Sequence, residues 1–108
     1  MTTEPLVLVT DAGATRTITL NRPAAMNSFT TAMHGELLAA LDNTAGSTEV
    51  RCLVITGAGR GFCAGQDLSD PQAAPGKDLG ALIEAHYLPL GEGIRSMPVA
   101  VSAAVSGV

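Results

Sequence analysis

The hydrophobic pattern divides the chain into a short series of elements. Leu6-Val7-Leu8-Val9 is an aliphatic run, and Thr15-Arg16-Thr17-Ile18-Thr19-Leu20 alternates polar with apolar residues. With Asp11-Ala12-Gly13 between them, the two runs predict a β-hairpin. Asn21-Arg22-Pro23 ends the second strand, because proline has no N–H to donate to a ladder. Met33, Leu37, Leu38 and Leu41 then recur at helical spacing and predict a helix from about Thr30 to Asn43, with Thr30 as its N-cap. Val50 to Thr56 is aliphatic and β-branched and reads as a buried strand. The glycines of Gly57-Ala58-Gly59-Arg60-Gly61 disfavour helix and strand alike and predict a loop. Asp70 to Lys77, with Pro71, Pro75 and Gly76, predicts an exposed, mobile loop. A second helix follows, carrying Leu79, Leu82, Ile83, His86, Leu90, Ile94 and Met97 on one side. Pro89 is expected to kink it, and Gly91 and Gly93 to weaken its middle. Val99 to Val105 reads as a last strand. The order β-β-α-β-loop-α-β predicts a mixed α/β fold, with residues 1–108 long enough for one small domain and without repeat or linker.

Composition narrows the function classes. At 46% apolar and 15% charged residues, the chain is a packing sequence and not a disordered one. Its net charge of −4, without a basic stripe, argues against nucleic-acid binding. An anionic ligand would have to be held locally, by a few arginines and by backbone N–H groups. Cys52 and Cys63 lack metal-type spacing and read as two reduced thiols of a cytosolic protein. Cys63 lies near an expected helix start but reads as small buried filler. His34 and His86 have no paired ligand spacing, so no metal site is expected. The N-terminal Met1-Thr2-Thr3-Glu4-Pro5 lacks the pattern of a secretory signal, and no apolar run reaches membrane-spanning length. The expectation is a soluble, cytoplasmic protein.

Candidate chemistry concentrates in Gly59-Arg60-Gly61-Phe62-Cys63-Ala64-Gly65-Gln66-Asp67-Leu68. This segment follows a buried strand, is rich in small residues and meets Asp67, a natural helix-start residue. Such a turn can present N–H groups to an oxygen carrying negative charge. On the residues alone, a ligand loop and a plain strand-to-helix turn fit equally well. A dinucleotide fingerprint fails, because Phe62 stands where a third glycine belongs, although Asp78 lies about twenty residues on. A phosphate-binding Walker loop fails because Asp78 follows Gly76-Lys77. Ser102 and Ser106 fit no nucleophile elbow. Glu84 and His86, two apart on a helix, point away from each other.

Three ordered segments carry a resemblance: Leu20-Asn21-Arg22-Pro23 with Asn27-Ser28, Leu53-Val54-Ile55-Thr56-Gly57, and Gly61-Phe62-Cys63-Ala64-Gly65-Gln66-Asp67-Leu68. Together they resemble the signatures of the crotonase (enoyl-CoA hydratase/isomerase) superfamily. The Phe-Cys-Ala-Gly-Gln-Asp-Leu spelling, with Leu79 to Tyr87 and Pro89, is most similar to the branch that isomerises a ring-epoxide phenylacetyl-CoA in phenylacetate degradation. Met97-Pro98 and Ala103 to Val108 resemble the strand leading to that family's second oxyanion loop, with Ser106-Gly107 at its Asn-Gly.

The resemblance implies the N-terminal portion of the ββα spiral (ClpP-like) α/β fold, truncated. It implies an acyl-CoA thioester as substrate and no separate cofactor, coenzyme A entering as part of that substrate. The thioester carbonyl would accept hydrogen bonds from two backbone N–H groups as charge grows on it, the first donor being the N–H of Gln66. Arg22, Ala24, Ala25, Asn27, Ser28, Ala64, Gly65, Asp67 and Leu68 match positions along the coenzyme A path, with Asp67 also expected to cap the helix that follows. Many relatives carry a basic residue at the positions of Ala24 and Ser69, so pyrophosphate binding would fall to Arg22 or Arg60. Tyr87 would line the acyl pocket or pack in the core. The second donor and the acid/base carboxylates (two glutamates in hydratases, an aspartate in the isomerase branch) match nothing in these residues. Loss of one donor costs about a hundred- to a thousand-fold, and loss of the proton-transfer group roughly a hundred- to ten-thousand-fold. The isolated chain is therefore expected to be inactive and marginally stable. The full-length parent is expected to form trimers or hexamers. Two other functions stay open: a non-catalytic coenzyme A-binding or subunit-interaction module and, more weakly, a small nucleotide-binding domain.

Overall fold

The computed structural model describes residues 5–59, 61–63, 65–67, 81 and 83–105. Strands β1 (Val7–Ala12) and β2 (Thr15–Leu20) pair antiparallel from Val7↔Leu20 to Ala12↔Thr15. Asp11 and Ala12, expected in the turn, belong to β1. The connection is the two residues Gly13 and Ala14, with Gly13 at φ 61°, a backbone angle that favours glycine in tight hairpins. Asp11 sits directly opposite Arg16, whose Nε and Nη2 donate to its two carboxylate oxygens at 2.8 and 3.0 Å. That pairing extends the ladder to the turn and, through the Arg16 hydrogen bond, holds the Asp11 carboxyl below its ordinary range.

After β2 the chain makes a short 3-10 turn, Pro23–Ala25, and enters α1 (Thr31–Ala45). Thr30 caps α1 as expected: it is extended, and its hydroxyl accepts the Met33 N–H at 3.2 Å. Strand β3 (Cys52–Gly57) returns parallel to β2, and β4 (Ala100–Ala104) lies parallel to β3, so the sheet order is β1-β2-β3-β4. Both parallel steps need long crossovers. The first contains α1; the second contains a π-helical stretch, Ile83–Tyr87, running directly into α2 (Leu88–Arg95). The expected kink thus takes the form of a widened turn just before Pro89. The proline ring and its missing N–H bar a regular bond to the carbonyl four residues back. Leu79, Leu82 and the loop from Asp70 to Lys77 lie outside the described residues, as do the side chains of Ile83 and His86.

Register explains the core. The row Val9–Ile18–Ile55–Ala103 and the pairs Val7–Leu20 and Leu53–Val101 share one face of the sheet. Against that face pack Met33, Leu37 and Leu41 of α1 and Leu90 of α2. Leu38, the fourth apolar residue expected on that stripe of α1, is only half-buried. Between sheet and helices remains an apolar cavity of about 400 Å³, lined among others by Leu20, Phe29, Ile55, Phe62, Leu90 and Val101. The opposite face carries Leu8, Thr10, Thr17, Thr19, Thr56 and Ser102 and is half-buried to exposed. Among the described residues, no helix is long and apolar enough to cross a membrane, and no group of His, Cys, Asp or Glu could hold a metal ion.

Candidate active site

Asn27 organises the loops at the carboxyl end of β3. The residue before it, Met26, and Asn27 itself take left-handed backbone angles, φ 54° and 57°, a region asparagine tolerates better than most residues. Asn27 is fully buried. Its Oδ1 accepts the Arg22 N–H at 2.7 Å, and its Nδ2 donates to the carbonyls of Ala58 and Gly61 at 2.9 and 3.0 Å. One side chain therefore ties the Arg22–Pro23 turn to the glycine loop. Gly57 makes room for it: a Cβ there would lie 2.7 Å from Asn27 Nδ2 and from the Gly61 carbonyl oxygen, and closer still to that of Phe62.

Arg22 makes a second tie. Nη1 donates to the Ser28 carbonyl at 2.6 Å, and Nη2 pairs with Asp67 Oδ2 at 2.9 Å. The guanidinium, expected to meet a pyrophosphate, joins the two loops, forty-five positions apart. It neutralises the Asp67 carboxylate, so an anion bound here would have to share it. Asp67, expected as a helix cap, has its carboxylate on Arg22; the helix it would cap lies outside the described residues.

Gln66 pairs with Phe29 in an isolated parallel bridge. The Phe29 N–H donates to the Gly65 carbonyl at 2.6 Å, and the Asp67 N–H donates to the Phe29 carbonyl at 2.7 Å. In parallel pairing only one residue of each bridged pair uses its own N–H and C=O; here that residue is Phe29. The Gly65 carbonyl and the Gln66 N–H belong to one trans peptide and point in opposite directions. Because the carbonyl faces Phe29, the Gln66 N–H faces away, and it meets no acceptor among the described residues. Gly65, exposed and at φ 96°, takes the left-handed angle that this placement requires.

The Gln66 side chain is held separately. Tyr87 Oη donates to Gln66 Oε1 at 2.5 Å, and Gln66 Nε2 donates to the Asp67 carbonyl at 3.2 Å. The Tyr87 ring meets Phe29 and His34 edge-on, with centroids 6.1 and 4.3 Å apart, while Phe29 stacks on the buried His34 at 4.6 Å. Phe29, Phe62 and Tyr87 are all the aromatic residues the chain has. Two of them flank Gln66, and Phe29 and Phe62 line the cavity. Their spacing in the sequence does not reveal the Tyr87–Gln66 contact.

Three of the remaining site positions are described. Ala24 is exposed and Ala25 half-buried in the 3-10 turn, and Ser28 is buried beside Arg22. Ala64, Leu68, Arg60, Ser69, Ser106 and Gly107 lie outside the described residues. The structure thus brings Arg22, Asn27, Ser28, Gly65, Gln66 and Asp67 together at one end of the sheet.

Comparison with known proteins gives this arrangement a family. The enoyl-CoA hydratase/isomerase family matches residues 11–108. The 1,2-epoxyphenylacetyl-CoA isomerase of Escherichia coli (strain K12) is 46% identical over 95 residues, which cover 85% of this chain and 36% of that protein. A probable enoyl-CoA hydratase of Rhodobacter capsulatus is 49% identical over 90 residues, covering 83% of this chain and 34% of that protein. Among solved structures, an enoyl-CoA hydratase of Mycobacterium smegmatis superposes with a TM-score of 0.84 at 35% identity, over 94% of this chain and 40% of that one. The chain spans about a third of the length of the curated relatives it matches. With the family match extending over nearly every residue and the fold shared, the chain belongs to the enoyl-CoA hydratase/isomerase (crotonase) family.

Proposed function

We propose that the chain supplies the first oxyanion donor and part of the coenzyme A surface of an acyl-CoA isomerase, the donor being the Gln66 N–H. The reading rests on one observation: that N–H is aimed away from the Phe29 bridge and meets no acceptor among the described residues. A fixed donor of this kind stabilises a thioester oxygen as it gains enolate charge, where water would have to reorganise. On this reading Arg22, Ala24, Ala25, Asn27, Ser28, Ala64, Gly65, Asp67 and Leu68 are the positions assigned to the coenzyme A path. In this role Asn27 acts by holding the loops, since its amide is directed at protein partners.

A ring-epoxide phenylacetyl-CoA is the substrate class favoured by the identity to the Escherichia coli isomerase. The proton-transfer carboxylate and the second donor belong, on this reading, to residues outside these 108, and the 108 residues alone do not turn over substrate. The whole protein is cytoplasmic, works as a trimer or hexamer, and needs no cofactor beyond the coenzyme A of its substrate. Calorimetric titration tests the reading. Acetyl-CoA should give saturable heat and NAD none; NAD binding without thioester binding would overturn it.

A further inference from the structure

The Gln66 bridge is a single residue pair held by two hydrogen bonds. Among the described residues no ladder adjoins it; its flanks are tied through Arg22, which donates to the Ser28 carbonyl and pairs with Asp67, and the exposed Gly65 beside it leaves the backbone free to turn. If the pair opened, the Gly65 carbonyl would lose the Phe29 N–H and the Gln66 N–H would lose its direction. One side chain touches both members of the pair: Tyr87 donates its hydroxyl to Gln66 Oε1 and sets its ring edge-on against Phe29. The ring is itself fixed against His34, which stacks on Phe29. Tyr87 ends the π-helical stretch, so the widened turn is what delivers its ring to this place.

We propose that Tyr87 is a positioning residue that clamps the Phe29–Gln66 bridge shut and so keeps the Gln66 N–H aimed at the thioester oxygen. The inference rests on the reading of Gln66 as oxyanion donor. Tyr87 need not touch the substrate. Its hydroxyl orders a donor that belongs to another residue, and preorganised donors are worth more than donors that must be ordered at the moment of reaction.

The test uses the full-length protein and a para-amino-substituted cinnamoyl-CoA thioester. The absorption of this chromophore moves to longer wavelength when its carbonyl oxygen accepts a hydrogen bond. Wild type should bind it with a red shift. Tyr87→Phe keeps the ring contacts and loses only the hydroxyl. It should still bind, within about tenfold in affinity (1.4 kcal/mol), but lose most of the shift. Gln66→Met removes the acceptor at similar length and provides a second route should Tyr87→Phe fold poorly; circular dichroism checks each variant. It should lose the shift to the same extent, and the double variant should lose no more than either single one. A merely structural Tyr87 would lower affinity or stability while the bound chromophore kept its shift, and that result overturns the inference alone. Wild type that binds without a shift, or does not bind, overturns the oxyanion reading and this inference with it.

Discussion

Replacing Asn27 by alanine removes the hydrogen bonds to Arg22 N–H, Ala58 O and Gly61 O at once. Three bonds at about 1 kcal/mol each give ~3 kcal/mol. Alanine at φ 57° adds about 1 kcal/mol for a left-handed backbone that asparagine tolerates. The expected loss is therefore ~4 kcal/mol, a large part of the 5–15 kcal/mol or so that holds a typical domain. Aspartate is the sharper control. It keeps the acceptor for Arg22 and the left-handed preference, but turns an oxygen toward two carbonyl oxygens at the Nδ2 position. Repulsion and burial favour its neutral form, so Asn27→Asp should be as unstable as Asn27→Ala at neutral pH and recover partly as pH falls and the carboxyl protonates. Urea denaturation followed by circular dichroism measures both. A cost below about 1 kcal/mol for Asn27→Ala, or an Asn27→Asp variant equal to wild type at neutral pH, would refute the loop-stapling role.

Other consequences follow from neighbouring contacts. Gly57→Ala should cost at least about 1–3 kcal/mol, because its Cβ would press on two backbone carbonyls and on Asn27 Nδ2; denaturation should show the loss, and coenzyme A affinity should fall with it. The half-buried Arg22–Asp67 pair should show a coupling energy of about 1 kcal/mol in a double-mutant cycle of Arg22→Gln and Asp67→Asn, above an exposed pair's few tenths; no coupling would mean the two loops are not joined through it. Arg16 lowers the Asp11 carboxyl, so that bond stabilises fully above the ordinary carboxylate value and is lost as pH falls through the lowered one. Asp11→Asn should therefore flatten the acid limb of stability between about pH 5 and pH 2, and an unchanged limb would argue against the bond.

Local patterning made the elements readable and left their meetings unread. The hairpin, the Thr30 cap, the Met33–Leu37–Leu41 stripe and both later strands follow from alternation, capping and helical period, each set by residues a few positions apart. Asp11 escaped because its strand identity depends on Arg16 across the ladder. The glycine loop marked a candidate site, equally readable as a plain turn, and did not say which groups it would hold. Arg22 with Asp67, Phe29 with Gln66 and Gln66 with Tyr87 are joined only after the parallel crossovers have formed. Thus Arg22 reads as the end of a strand and Gln66 as a turn residue from local pattern, whereas folding makes one a clasp and the other a bridged residue with its N–H turned outward.

The direction of that N–H is open to direct measurement. In ¹⁵N-labelled protein titrated with acetyl-CoA, the Gln66 amide proton should move downfield as it donates to the thioester oxygen, and coenzyme A lacking the acyl group should leave it where it was. Saturable thioester binding with the Gln66 amide unmoved would contradict the account.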